Sequence, residues 1–203
     1  FVENLVSFAA ELAVPLDVPG LGTLTVDTAY GGDSFVIVDA AAMGFSLVAE
    51  EAHEIARLGV RITAAANDAL GFHHPDNPDW RHISFCLFAG PVTRGPEGLR
   101  AGAAVAVRPG KVDRSPTGTA LCARMAVLAA RGEMGDADTL TTVSVIGSTF
   151  TGRILGHTTV GGRPAIRPEL SGRGFITGIP QHMLDPDDPW PQGYRLSDTW
   201  GAR

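Results

Sequence analysis

Between residues 113 and 119 the chain reads Asp113-Arg-Ser-Pro-Thr-Gly-Thr119, and it runs straight into the apolar, helix-forming stretch Ala120-Leu-Cys-Ala-Arg-Met-Ala126. Pro116 and Gly118 set a tight turn. Such a turn delivers unpaired backbone N–H groups at the first turn of a helix, where the dipole also favours negative charge. That arrangement is a cradle for a carboxylate or a phosphate. Asp113, four residues before Thr117, adds a negative charge that suits an ammonium, so the combination fits a zwitterion such as a free amino acid better than a phosphate. The residues alone also allow a plainer arrangement, in which Thr117 or Thr119 caps the helix and Asp113 belongs to a surface turn.

The elements that must hold this segment are short. Twenty-five glycines and 14 prolines break the 203 residues into apolar runs of strand length and two longer helical patterns. β-Branched and aromatic residues predict strands over 24–29, 35–39, 83–89, 103–108, 142–146, 150–159 and 174–177. A helix is predicted from an N-cap at Ser46 through Val48, Ala52, Ile55 and Leu58 to a stop at Gly59, with a second helix over 61–70. The most informative helix follows Thr119, puts Leu121, Met125 and Leu128 on one face and ends before Gly132, which gives a central helix over 119–131. The fold class is α+β, mostly antiparallel.

The 113–119 segment resembles the second active-site motif of the proline racemase family, normally Asp-Arg-Ser-Pro-Cys-Gly-Thr. Further family-like segments occur in the family's order: Val18-Pro-Gly-Leu-Gly-Thr-Leu-Thr-Val-Asp27, Ala29-Tyr-Gly-Gly32 followed by Ile37-Val-Asp-Ala40, Ile146-Gly-Ser-Thr-Phe150, Ile176-Thr-Gly178 and Asp185-Pro-Asp-Asp-Pro189. The resemblance implies a diaminopimelate-epimerase-like fold, mostly antiparallel strands wrapped around a central helix, as one of two pseudo-symmetric halves that close over the substrate. Each half presents one catalytic residue from a helix N-terminus, no cofactor is needed, and no metal is called for. Two cysteines exchange the α-proton on opposite faces in the racemases and epimerases; a helix N-terminus lowers a thiol's pKa and a closed cleft desolvates the carbanion.

Two departures from that pattern shape the functional expectation. Thr117 stands where the family has its second cysteine, and a hydroxyl is far too weak an acid to exchange protons at the α-carbon as a thiol does. The Cys/Thr members that this chain resembles are trans-3-hydroxy-L-proline dehydratases, whose product becomes Δ1-pyrroline-2-carboxylate. On that resemblance Asp113 anchors the ring nitrogen, the amides of Gly118 and Thr119 hold the carboxylate, and Thr117 faces the α- or β-carbon. A 4-hydroxyproline 2-epimerase or proline racemase is the close alternative, and an inactive fragment or a non-catalytic amino-acid-binding protein is the alternative of another class. The second departure is that the family's first motif, Met-Cys-Gly-His-Gly, does not occur in these residues. The chain starts at Phe1 inside an apolar stretch, so residues 1–8 are expected to be the last strand of an N-terminal catalytic domain, 9–175 the second catalytic domain, and 176–203 a segment returning to the first. Apolar surface should then be exposed around Phe1, Val2, Leu5 and the tail tryptophans. The fragment by itself is expected to be inactive.

Other constellations carry less chemistry. Phe72-His-His-Pro-Asp-Asn-Pro-Asp-Trp-Arg-His82 groups histidines with aspartates, but Pro75 and Pro78 make it a loop and adjacent His73 and His74 point apart, so a solvated loop is expected rather than a metal site. Asp185, Asp187 and Asp188 read as a family structural segment rather than a calcium loop. Tyr30-Gly-Gly32 is a hairpin turn, not a dinucleotide fingerprint. Arg114 has a salt bridge as its plain role and a substrate carboxylate as its functional one. Cys86 and Cys122 read as small buried hydrophobes. A net charge of -6, with 16 Lys+Arg against 22 Asp+Glu, gives no basic stripe for nucleic acid or an anionic membrane. No apolar run is long enough to span a bilayer and no signal peptide is evident, so a cytoplasmic enzyme acting on a small amino acid is expected. A homodimer is an assembly the sequence leaves open.

Overall fold

Two strands of continuous apolar sequence, Phe35-Val-Ile-Val38 and Cys86-Leu-Phe-Ala89, show no polar alternation, which is the signature of strands covered on both faces. In the computed structural model, which describes residues 1–196, that is their situation. Strand β4 (Ser34–Asp39) lies parallel to β5 (Phe85–Ala89), and β5 pairs antiparallel with β7 (Gly98–Val107). Val36, Val38, Cys86, Phe88, Ala104 and Ala106 turn to one face and pack with helix α1 (Ala52–Ala69). Phe35, Ile37, Leu87, Ala89, Ala103 and Val105 turn to the other and pack with helix α2 (Gly118–Ala130).

The remaining strands are β1 (Val2–Glu3), β2 (Phe8–Val18), β3 (Gly22–Tyr30), β6 (Thr93–Gly95), β8 (Lys111–Val112), β9 (Thr139–Val143), β10 (Thr149–Val160) and β11 (Arg163–Gly172). The sheet runs β1-β11-β10-β9-β7-β5-β4-β3-β2, with β6 and β8 as additional partners of β7. Its parallel pairs are β4 with β5 and β7 with β9. Residues 4–7 join β1 to β2, and Ser7 exchanges backbone hydrogen bonds of 2.9 and 2.8 Å with Ile166. The sheet thereby meets itself around α2. That helix is apolar on nearly every side, and Leu121, Met125 and Leu128 join a further core with Leu140, Ile154 and Ile166 from the opposite wall. A helix apolar all round must be enclosed, and here the strands enclose it. Residues 1–173 thus form an α+β fold of mostly antiparallel strands wrapped around a central helix.

Several expected elements are corrected. Gly59 does not stop a helix: α1 runs through it, and the two predicted helices are one. A Cβ on Gly59 would lie 2.1 Å from the Ala106 Cβ, so the glycine is there to let α1 approach β7 closely. Ser46 is not the N-cap. The Glu51 carboxylate accepts the N–H groups of Ser46, Leu47 and Val48 at 2.8–3.2 Å, in a loop where Leu47 has φ 62°, and α1 starts only at Ala52. The central helix starts at Gly118, one residue before the predicted boundary. The strand predicted over 142–146 is Thr139–Val143, because Ser144 and Ser148 close a turn after it. The strand predicted over 174–177 does not form.

Strands β2 and β11 escape the period-2 signal. β2 carries register shifts between Ala9 and Val14, with Ala13 at φ 53°, and a bulge moves side chains from one face to the other. β11 contains Pro164 and Pro168, which cannot donate to the ladder, and Pro168 lies beside the bulge at Ile154/Gly156.

Residues 1–173 form one compact unit, and the residues from Gly174 on form another. Phe1, Val2 and Leu5 are exposed, as is Trp190 of the second unit; Trp200 lies outside the described residues. Asp185, Asp187 and Asp188 form a turn in which Asp185 accepts the Asp187 N–H and Asp188 accepts the Trp190 N–H.

Candidate functional site

Strand β8 ends at Val112, and the Asp113 N–H donates to the Val105 carbonyl at 3.0 Å, so the first residue of the segment is tied to the sheet. From that anchor the Asp113 carboxylate collects three donors. Oδ2 accepts the Thr117 hydroxyl at 2.5 Å and the Ser115 hydroxyl at 3.0 Å, and Oδ1 accepts the Ser115 N–H at 3.1 Å. Ser115 Oγ in turn accepts the Thr117 N–H at 3.2 Å. Pro116 is buried beneath the turn, while Asp113, Thr117, Gly118 and Thr119 are half-buried.

Thr117 has φ 63° and ψ 109°, a backbone conformation that β-branched residues rarely adopt. Such strain, of order 1–3 kcal/mol, persists only where the surroundings over-determine it. Here the hydroxyl, the N–H and the carbonyl are all held, the last by the Leu121 N–H at 3.0 Å. The consequence is electrostatic. Because the Thr117 hydroxyl is committed to Asp113, no side chain caps α2, and the first-turn amides of Gly118 and Thr119 are left for another acceptor. The turn thus places an anionic carboxylate beside uncapped helix N–H groups, a pairing that accommodates the two charges of an amino acid.

Neighbouring elements shape the rim. The β3–β4 hairpin presents Gly31 and Gly32 to the start of α2; a Cβ on Gly31 would lie 2.1 Å from the Thr119 carbonyl oxygen and 2.4 Å from the Ala123 nitrogen. Tyr30-Gly-Gly32 is a hairpin turn, as the sequence predicts, and its glycines also make this contact possible. Asn4 reaches in from beyond β1, its Nδ2 donating to the Gly31 carbonyl at 2.9 Å and to Cys122 Sγ at 3.2 Å. Asn4 and Ser115 carry no signal of their own in the sequence apart from the i, i+2 spacing of Ser115 to Asp113, because pairing of β1 with β11 is what brings Asn4 here.

Cys122 is buried, and burial pushes its thiol up to about 11, with the Asn4 amide acting in the opposite direction. Burial also raises Cys86, which is fully enclosed. Neither is a thiolate base near neutral pH. Arg114 turns away: its guanidinium donates to the Val112 carbonyl at 2.8 Å, and its own carbonyl accepts Ser148 Oγ at 3.0 Å. A hollow of about 400 Å³ borders Asp113 on the α1 side, lined also by His53, Lys111, Val145 and Ile146.

The histidine loop does structural work. His74 packs edge-on against Tyr30 and Phe8, Trp80 donates its indole N–H to Ser34 Oγ at 3.0 Å, and His82 stacks on Trp80. Among the described residues no three His, Cys, Asp or Glu side chains come close enough to hold a metal, and no helix is long and apolar enough to cross a membrane.

Comparison with known proteins agrees with this geometry. A probable proline racemase from Agrobacterium radiobacter, solved with bound carbonate, superposes with a TM-score of 0.80 at 33% identity over 98% of this chain and 58% of that one. A hydroxyproline epimerase from Agrobacterium vitis, solved with bound trans-4-hydroxy-L-proline, gives 0.79 at 35% identity over 98% of this chain and 56% of that one. The chain therefore spans little more than half the length of these relatives. With the proline racemase family model matching residues 1–195, the chain belongs to the proline racemase family.

Proposed function

We propose that this chain supplies one half of a cofactor-independent site that removes the α-proton of a proline-like amino acid, and that the reaction is dehydration of trans-3-hydroxy-L-proline to Δ1-pyrroline-2-carboxylate. The observation that carries the proposal is the Thr117 hydroxyl bound to Asp113 at an uncapped helix start. In this reading the carboxylate of the substrate takes the Gly118 and Thr119 amides and its ring ammonium takes Asp113. A thiolate carried by the other half of the enzyme removes the α-proton and becomes a thiol. The electron pair of the broken C–H bond forms the Cα–Cβ double bond, the C3–O bond breaks, the departing hydroxide takes a proton from solvent to leave as water, and the thiol later returns to solvent the proton it took from Cα. The enamine then tautomerises to the cyclic imine.

Thr117 serves in this scheme as a hydrogen-bond donor to the leaving oxygen, for which it is free to rotate once the substrate ammonium occupies Asp113. A hydroxyl can do that, whereas returning a proton to carbon on the opposite face needs a group that titrates nearer neutrality. The same scheme leaves the thiol to the other half of the enzyme. The enclosure that desolvates the carbanion comes from that half, since Thr117, Gly118 and Thr119 stand half-buried on this unit.

A second reading, epimerisation of 4-hydroxyproline or racemisation of proline, is favoured by what the two solved relatives are called. The protein, with any coding sequence that lies upstream of Phe1, should be incubated with trans-3-hydroxy-L-proline, trans-4-hydroxy-L-proline and L-proline in D2O and followed by NMR. Imine from the 3-hydroxy substrate alone, abolished by Asp113→Asn, supports the dehydratase. α-Deuterated epimer from either other substrate shows that Thr117 permits two-sided transfer and overturns it. Saturable binding without turnover would make the chain an amino-acid-binding protein.

A further inference from the structure

No side chain caps α2, so the first turn of that helix is held by what packs on it. One support is β11. Its Leu170 lies against Gly118, where a Cβ would come within 3.1 Å of Leu170 Cδ2. The other support is the tip of the β3–β4 hairpin. Gly31 sits on the Thr119 carbonyl and the Ala123 nitrogen, the acceptor and donor of one i to i+4 helix bond, and a Cβ on Gly32 would lie 3.0 Å from Thr119 Cγ2. The two residues whose amides are free are thus gripped between elements that lie far apart in the chain.

Asn4 ties the two supports together. Its main-chain N–H donates to the Pro168 carbonyl of β11 at 2.9 Å, and its Nδ2 donates to the Gly31 carbonyl of the hairpin, also at 2.9 Å. Nδ2 donates in addition to Cys122 Sγ at 3.2 Å, on α2 itself. A carboxamide nitrogen has two hydrogens, and both are spent here. Turned over, the group would set its oxygen against the Gly31 carbonyl, so its surroundings fix its orientation. The main chain on the far side is pinned as well, where Ser7 exchanges backbone bonds with Ile166. Pairing of β1 with β11 uses only backbone groups, so what the carboxamide adds is the tie to the hairpin and the helix.

We infer that Asn4 is a positioning residue of the site: by tying the β3–β4 hairpin to β11 across the start of α2, it fixes the Gly118 and Thr119 amides in the direction of the substrate carboxylate. The inference rests on the reading proposed above, in which those amides take the carboxylate and Asp113 takes the ring ammonium. Asn4 acts through the helix start and not on the substrate.

Two fragments of the substrate separate the inference from that reading. Cyclopentanecarboxylate has the carboxylate and no ring nitrogen, and pyrrolidine has the ring ammonium and no carboxylate. Each is titrated into the ¹⁵N-labelled protein, with any coding sequence that lies upstream of Phe1, and followed at the amides of Ser115, Thr117, Gly118 and Thr119. Asp113→Asn should weaken pyrrolidine and spare cyclopentanecarboxylate. Asn4→Asp keeps the shape, removes both donors and sets an acceptor against the Gly31 carbonyl. It should do the reverse, weakening cyclopentanecarboxylate roughly tenfold and pyrrolidine less than about twofold, since a small misplacement of oriented groups is enough. KM for the whole substrate should rise with kcat nearly unchanged, because the carboxylate is held alike before and during the reaction. Should Asn4→Asp fail to fold, Asn4→Ala at this half-buried position loses the same donors without adding a charge and should show the same pattern. Gly59→Ala, which lowers stability away from the site, should leave both affinities unchanged. Equal weakening of the two fragments by an Asn4 variant, or weakening of neither, would overturn the inference and leave the reading intact. A wild-type protein that binds neither fragment, or that binds pyrrolidine equally well with Asp113→Asn, would overturn the reading and the inference with it.

Discussion

Thr117 concentrates the tension in this site into one residue. Its left-handed backbone is unfavourable for a β-branched side chain, and its hydroxyl bond to Asp113 is what offsets that conformation. Thr117→Ala keeps the strain and loses the bond, so it should destabilise the chain by about 1–2 kcal/mol. Thr117→Gly loses the same bond but relieves strain of about 1–3 kcal/mol, against about 0.5–1 kcal/mol of added chain entropy. Urea unfolding should therefore rank the glycine variant above the alanine variant by roughly 1 kcal/mol; the reverse order would mean that the backbone at 117 is not strained. The cysteines give a second residue-scale expectation. With burial pushing the Cys122 thiol up to about 11 from its ordinary 9.0, the unfolded chain loses its thiol protons first, so stability is intact below about pH 9 and falls as pH rises toward 11. A thiol reagent at pH 7.5 should label neither cysteine of the native chain and both in denaturant; rapid native labelling of Cys122 would contradict its burial.

At the scale of elements, two glycines set distances that the helices depend on. Gly59→Ala would ordinarily stabilise a helix interior by up to about 1 kcal/mol. Against that stands a 2.1 Å overlap with Ala106 and a 3.1 Å approach to Phe88, which makes overpacking of about 1–3 kcal/mol the larger effect. The expected outcome is a lower thermal midpoint, and an unchanged one would mean that α1 can lift off β7 at little cost. Gly31→Ala places its methyl against backbone atoms of α2 rather than a movable side chain. It should displace the hairpin from the helix start, and, on the function proposed above, the measurement is a fall in affinity for trans-3-hydroxy-L-proline out of proportion to any loss of stability.

For the whole molecule, the three apolar clusters all lie within residues 1–173. A chain ending at Arg173 should keep a single cooperative unfolding transition by circular dichroism, and its loss would show that the unit does not fold by itself. Much of this architecture is legible in the sequence: the unbroken apolar runs of β4 and β5 announce strands buried on both faces, and the all-round apolar α2 announces an enclosed helix. β2 and β11 are not legible, because bulges break the alternation of one and prolines interrupt the other, while the partners that stabilise them anyway lie far along the chain.

The order of residues by itself determined the turn at 113–119, since proline and glycine spacing, helix start and carboxylate are all local, and local steric and hydrogen-bonding rules act within a few residues. Only the tertiary structure decided that the Thr117 hydroxyl goes to Asp113 instead of capping α2, that Gly59 is a contact and not a stop, and that Asn4 and Gly31 meet the helix start. Those outcomes depend on which strands lie side by side, and pairing across more than a hundred residues is set by the closure of the sheet around α2, which no local pattern encodes.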